Sequence, residues 1–207
     1  MLKILGRATS INVRKALWTA DELGAPYELE VWGQPHRDPT APDFLKLNPN
    51  GQVPVLIDGD FVLWESSAIL RYLLDAYGPG DLIPSDKKTR ALAEQWFAWQ
   101  ATDLNRSWGY AASALVRKLP GYEDRAQIDA SLQKWGAKMR IFEARLADTK
   151  AYAAGAAFSF ADISLGLSMH RWFGGDFPRP DLPNVSAYYE RVKSRPAAQK
   201  HFSAATP

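Results

Sequence analysis

The chain contains no cysteine, which excludes disulfides, thiolate metal sites and a protein thiol acting as nucleophile. It also has no apolar run approaching the roughly 20 residues that a membrane-spanning helix needs. The N-terminal MLKILGRATS goes straight into a strand-like pattern and lacks the apolar region of a secretory signal. No membrane association is expected, and a cytoplasmic location is. Histidine is scarce: His36, His170 and His201 lie far apart, with no partner at metal-ligand spacing, so no metal is expected. Charge of one sign is lacking too, the net value being only +2. The densest basic clusters, Arg14-Lys15 and Lys87-Lys88 with Arg90, read as solvated helix surface rather than a nucleic-acid face. What remains is a chain of 207 residues, 46% apolar, with room for one large or two modest domains and a real core.

The most informative stretch runs from Asn50 to Leu73. It places a Val53-Pro54 step in an apolar strand, a turn at Asp58-Gly59-Asp60, a second strand, and then Glu65-Ser66 opening a helix. Proline removes a ladder donor, so its presence in a strand needs a local reason. A cis Val53-Pro54 bond supplies one. If that bend turns the main chain of Val53 outward, its N–H and C=O form a free edge for an extended peptide. Ser66 reads as the N-cap of a helix carrying Ile69, Leu73 and Tyr77 at four-residue spacing. Unpaired N–H groups at such a start attract a carboxylate, and Glu65 attracts an ammonium. A ligand with both groups and a peptide backbone is a γ-glutamyl peptide. The alternative reading of Glu65-Ser66 is a strand end and a helix cap with no ligand.

Periodicity predicts a strand at Leu2–Leu5, a helix after Ser10 ending at Gly24, a strand at Tyr27–Val31 and a helical turn at Phe44–Leu47. A hairpin of Val53–Ile57 and Phe61–Trp64 follows, and then the Ser66–Tyr77 helix. Gly78-Pro79-Gly80 to Ser85 reads as a linker. Beyond it the strand signal vanishes. One long helix is expected from Lys88 to Lys118, a second from Glu123 to Leu146, a third opening at Ser159 and a last from Val185 to Lys193. Ser159 and Asp162 form a capping box with a shorter acid than usual, which gives Asp162 a structural role. The expected division is residues 1–79 as an α/β domain, 80–86 as linker and 87–207 as an all-helical domain.

With these elements in order, the sequence resembles the cytosolic glutathione transferases, above all the bacterial theta- and phi-like serine type. Gly6-Arg7-Ala8-Thr9-Ser10-Ile11-Asn12, Asn48-Pro49-Asn50-Gly51-Gln52-Val53-Pro54, Glu65-Ser66-Ser67-Ala68-Ile69, Phe158 to Ile163 and Ser194-Arg195-Pro196 carry the resemblance. It covers nearly the whole chain. It implies a thioredoxin-like N-terminal domain that holds glutathione and an all-α C-terminal domain that supplies much of the electrophile pocket. It further implies a homodimer, glutathione as co-substrate and no permanently bound cofactor. Val53 would pair with the cysteinyl part of glutathione beside a cis Pro54, and Glu65 and Ser66 would hold its γ-glutamyl end with help from Gln52. His36, Arg37 and Lys46 are the candidates for the glycine carboxylate.

Such an enzyme must hold its ligand's thiol as thiolate, and a free thiol has a pKa of about 8.5. A hydroxyl at a helix N-terminus suits this, since its O–H can donate to sulfur where the unpaired N–H groups add positive potential. The resemblance points to Ser10, with Thr9 and Asn12 as alternative donors. Ser10 is equally readable as a plain helix cap, and one serine can do both. Trp108 and Tyr110 are candidates for the electrophile pocket, although aromatics at helical spacing are commonly core. Arg106 is a candidate for orienting an anionic substrate, or else a surface partner of Asp103. The implied activity is conjugation of glutathione to small electrophiles, with peroxidase activity as a possible companion. The rival is a non-catalytic binding or stress-regulatory protein of the same fold.

Overall fold

The computed structural model describes residues 1–203, so the last four residues of the expected helical domain, 204–207, lie outside the described residues. The chain separates into two compact units, Met1–Gly80 and residues 81–203.

The first unit is a four-stranded mixed sheet of order β2-β1-β3-β4. Its strands are β1 (Leu2–Leu5), β2 (Tyr27–Glu30), β3 (Val55–Asp58) and β4 (Phe61–Trp64), and its helices are α1 (Ile11–Leu23), α2 (Pro42–Leu45) and α3 (Ser66–Ala76). β1 runs parallel to β2, with Leu2 opposite Tyr27, and antiparallel to β3, with Ile4 opposite Leu56. Alternation sorts the side chains between the two faces. Leu2, Ile4 and Leu56 join Val13 and Leu17 of α1 and Ile69 and Leu73 of α3 in one core. Leu5 and Val55 pack on the other face with Trp32 and Phe44. Each fully buried aliphatic side chain contributes about 1.5–3 kcal/mol, so the sheet is held from both sides. Asp58 ties the hairpin to α3 by accepting from Tyr72 Oη at 2.9 Å and Tyr77 Oη at 2.8 Å. Gly59, at φ 61°, supplies the left-handed turn residue between β3 and β4.

The second unit is helical among the described residues. α4 (Lys87–Trp99) continues through a π-turn (Gln100–Leu104), two short helices α5 (Asn105–Ser107) and α6 (Gly109–Ala111), and a second π-turn (Ala112–Val116). The single helix expected over this stretch is therefore interrupted, with Trp108 at φ −96°, ψ −5° marking the break. α7 (Arg125–Thr149), α8 (Phe160–Phe173), α9 (Pro183–Lys193) and a 3-10 turn (Gln199–His201) follow.

Two side chains hold the starts of these helices. Asp162 is buried and accepts from Ser159 N at 2.9 Å, Ser159 Oγ at 3.0 Å, Ala153 N at 3.0 Å and Tyr188 Oη at 3.0 Å. Desolvation still raises its pKa above the ordinary aspartate value, against the pull of those donors. Glu143 of α7 caps α9 from outside, accepting from Asn184 N at 3.1 Å and Val185 N at 2.8 Å.

Candidate active site

The residues singled out around Val53 and Glu65 converge on one polar cleft of about 40 Å³ in the first unit. Its walls are Asn12, Asn48, Asn50, Gln52, Val53, Pro54, Glu65 and Ser66. The Val53-Pro54 bond is cis. It does not lie inside the strand, as expected from sequence, but just ahead of β3, whose ladder begins at Val55. A proline has no N–H to offer a ladder, and the position before the first rung removes the conflict. Among the described residues no hydrogen bond engages the main chain of Val53, so both of its groups are open to an extended partner.

The loop that delivers Val53 is built by a residue the sequence reading did not assign to the site. Asn48 is 3% exposed. Its Nδ2 donates to Gln52 O at 2.7 Å, while its Oδ1 accepts from Asn50 N at 3.0 Å and Asn50 Nδ2 at 2.9 Å. Asparagine in a turn bonds its own main chain in this way, and Asn48-Pro49-Asn50-Gly51 carried that signal.

Glu65 occupies the N-cap position of α3 at φ 74°, ψ 110°, a conformation a non-glycine residue rarely adopts. Ser66 is therefore the first helical residue and not the cap, which corrects the sequence reading. The chain turns into the helix one residue earlier, at the positive-φ glutamate. No side chain caps α3, and its internal bonds begin at Ile69 N to Glu65 O, 2.9 Å. The N–H groups of the first turn thus stay available to a ligand carboxylate. The Glu65 side chain is exposed and engages no hydrogen bond or ion pair among the described residues. A cleft that offers helix N–H groups to a carboxylate and a carboxylate to an ammonium is complementary to an amino-acid head group.

Ser10 holds the N-cap position of α1 with an extended backbone, φ −85° and ψ 125°, yet its hydroxyl makes no capping hydrogen bond. The turn before it depends on Gly6, where an added Cβ would come within 2.5 Å of Val13 Cγ2. Close approach of this loop to α1 thus requires glycine. Ser10 is half-buried and Thr9 exposed; neither lines the cleft that Asn12 helps to form.

The other candidates are placed as follows. Arg37 is exposed but paired with Glu30, its guanidinium 4.1 Å from the Trp32 ring centroid, whereas His36 and Lys46 are exposed with no ion pair among the described residues. Trp108 is 3% exposed and packs 5.4 Å from Trp135, so it belongs to the helical core. Tyr110 is committed to Tyr122, at 5.0 Å between rings, and to Asp124 N, which donates to its hydroxyl at 3.3 Å. Arg106 is exposed, and Asp103 pairs with Lys138 at 2.6 Å instead of with it. An open apolar hollow of about 490 Å³ lies farther along the same unit, lined by Leu115, Leu119, Pro120, Tyr122 and Ile128 among others. Among the described residues there is no cluster of three or more potential metal ligands. No helix among them is long and apolar enough to cross a membrane.

Comparison with known proteins places the chain in a family. The family profile "Glutathione S-transferase, N-terminal domain" matches residues 1–75, and "Glutathione S-transferase, C-terminal domain" matches residues 104–196. Glutathione S-transferase GstB of Escherichia coli (strain K12) is 36% identical over 202 residues, covering 97% of each chain. This chain belongs to the glutathione S-transferase family. Glutathione S-transferase 4 of Zea mays is also similar, at 34% identity over 96% of this chain and 91% of the plant protein. Among solved structures, the theta class glutathione S-transferase of Xanthomonas axonopodis pv. citri with glutathione bound superposes with a TM-score of 0.89. It shares 39% identity and covers 97% of this chain and 96% of its own. Glutathione transferase F7 of Populus trichocarpa gives a TM-score of 0.88 at 28% identity over 99% of both chains. The glutathione transferase fold is thus shown for both units, an α/β thioredoxin-like one and an all-helical one.

Proposed function

We propose that this glutathione transferase binds glutathione along Val53-Pro54 and the start of α3. There it joins the thiolate to small electrophilic carbon centres, with the Ser10 hydroxyl donating to the sulfur. The observation that carries the reading is Ser10 itself. It sits where a serine ordinarily caps a helix, and its hydroxyl is not spent on the cap. Val53 would pair its main chain with the cysteinyl residue, while Glu65 would take the γ-glutamyl ammonium and the α3 N–H groups its carboxylate. Gln52 contributes to the wall beside them. No permanently bound cofactor is needed, because glutathione brings the nucleophile. The same thiolate would reduce organic hydroperoxides as a secondary activity.

The test is the thiolate absorbance of protein-bound glutathione against pH, for the parent and for Ser10→Ala. The bound thiol is expected to titrate about two units below its free value of about 8.5 and to regain at least about one unit in Ser10→Ala. A depression that survives the substitution moves the role to Thr9, Asn12 or main-chain groups. An unshifted thiol in the parent sinks the enzymatic reading and favours a carrier of glutathione.

We further propose that the protein is a homodimer. The edge strand β4 leaves Val62 36% and Trp64 38% exposed on one face of the sheet, apolar surface that a monomer gains nothing by showing to water. Sedimentation equilibrium showing only monomer at micromolar concentration would refute this.

A further inference from the structure

Most buried donors in this protein have acceptors; around Trp108 two do not. Arg171 of α8 is half-buried, but its Nε is sealed from solvent without a hydrogen-bond partner. Trp135, fully buried in α7, likewise has no acceptor for its Nε1–H. The two flank one ring: the Arg171 guanidinium carbon lies 5.8 Å from the Trp108 centroid and the Trp135 ring 5.4 Å from it. Leaving a buried donor unpaired is destabilising, and more so for a charged group. The ring face offsets only part of that. An unpaired buried group in a native fold calls for an explanation, an absent ion or ligand among them.

A second cation aggravates the imbalance. The end of α8 abuts the π-turn, so closely that a Cβ on Gly175 would approach Val116 Cγ2 to 2.9 Å. The next residue, Arg117, continues that turn through its N–H bond to Ala112 O at 2.8 Å. Burial, and after it the charge of Arg117, brings the Arg171 pKa down to about 10. No carboxylate answers either arginine among the described residues. Asp176, the nearby acid, acts on Arg179, and that guanidinium already donates to Trp172 O at 2.9 Å and Phe177 O at 3.3 Å. π-turns concentrate at functional sites in helices, and this one carries Arg117 to the cluster.

We propose that Arg171 and Arg117 form a binding site for the carboxylate of a small organic acid, wholly within the helical unit. A guanidinium presents a planar fork that matches a carboxylate, and the anion would supply the acceptor that Arg171 lacks. Arg171 sits against the buried ring of Trp108, itself packed on Trp135 and through it on Trp172, and so apolar a setting favours a weakly hydrated organic acid over a strongly hydrated phosphate. The assignment does not depend on how glutathione binds.

Thermal unfolding of the glutathione-free protein tests it, with sodium benzoate as probe and sodium chloride or phosphate as controls at equal ionic strength. Benzoate at a hundredfold excess over its Kd is expected to raise Tm by at least about 5 °C, with smaller effects from chloride and phosphate. Arg171→Met should abolish the benzoate shift and raise the Tm of the unliganded protein, since it removes a buried charge that has no partner. Arg117→Gln, at an exposed position, should weaken benzoate at least about tenfold by calorimetry, the worth of one charged hydrogen bond. A benzoate shift no larger than that of chloride or phosphate overturns the proposal. So does a calorimetric affinity for benzoate in Arg117→Gln equal to the parent's.

Discussion

At the scale of single residues, the site is made of groups left uncommitted by the fold. Glu65 shows this clearly, because its strained backbone is retained while its carboxylate engages no hydrogen bond or ion pair among the described residues. Removing the charge should therefore harm binding and spare the fold. Glu65→Gln is expected to raise the KM for glutathione about tenfold or more, as loss of one charged hydrogen bond predicts. Its Tm should stay within about 1 °C of the parent, as for surface changes that break no contact. Steady-state kinetics with thermal unfolding checks both, and a large fall in Tm would show that Glu65 is structural after all. Much of this was legible in advance. A proline beside an apolar run and an acid before an apolar-periodic helix are local signals, and local signals survive folding. Ser66 was misassigned because serine before such a run is the ordinary cap pattern, whereas a glutamate at positive φ leaves no mark in composition. Trp108 could not be decided either, since helical spacing is the same for a core tryptophan and a pocket one.

At the scale of elements, the helix that begins at Lys87 is the main departure from expectation. Residues 88–118 read as one long helix, but the chain breaks its ladder at Trp108, where the bond from Ala111 N to Ser107 O is replaced. Ser131 of α7 stands in the gap: its Oγ accepts from Ala111 N at 3.1 Å and donates to Ser107 O at 3.0 Å. A side chain inserted in this way is a recognised cause of helix bending, and it comes from a residue distant in sequence, so no reading of the helix alone could show it. Ser131→Ala leaves a buried donor and a buried acceptor unpaired and should cost about 1–3 kcal/mol by urea denaturation. Ser164→Ala is the control, because the buried Ser164 Oγ has no partner and its loss should be close to neutral. Equal costs for the two serines would mean that the bridge is not what holds the break.

At the scale of the molecule, each unit keeps a tyrosine proton that the unfolded chain would release. In the first unit, Tyr77 is pushed up to about 12 by burial and by its bond to Asp58, and Tyr72 is raised chiefly by the same carboxylate. In the helical unit, Tyr188 is held well above the ordinary tyrosine value by burial and by the neighbouring Asp162. A folded pKa above the unfolded one means that the native state binds more protons once pH passes the unfolded value of about 10. The stability these groups confer is complete below that value and is lost as pH rises towards the folded pKa. Both units should therefore weaken on the alkaline side, and urea denaturation at about pH 8 and about pH 11 should show it. Tyr188→Phe separates this effect from general charge repulsion. At about pH 8 it should be less stable by about 1–3 kcal/mol, because Asp162 loses a donor. Between about pH 10 and about pH 11 its stability should fall less steeply than the parent's, by up to about 1.4 kcal/mol per pH unit. An unchanged slope would show that Tyr188 ionises in the native state as readily as in the unfolded chain, and that its burial against Asp162 does not control the alkaline limit.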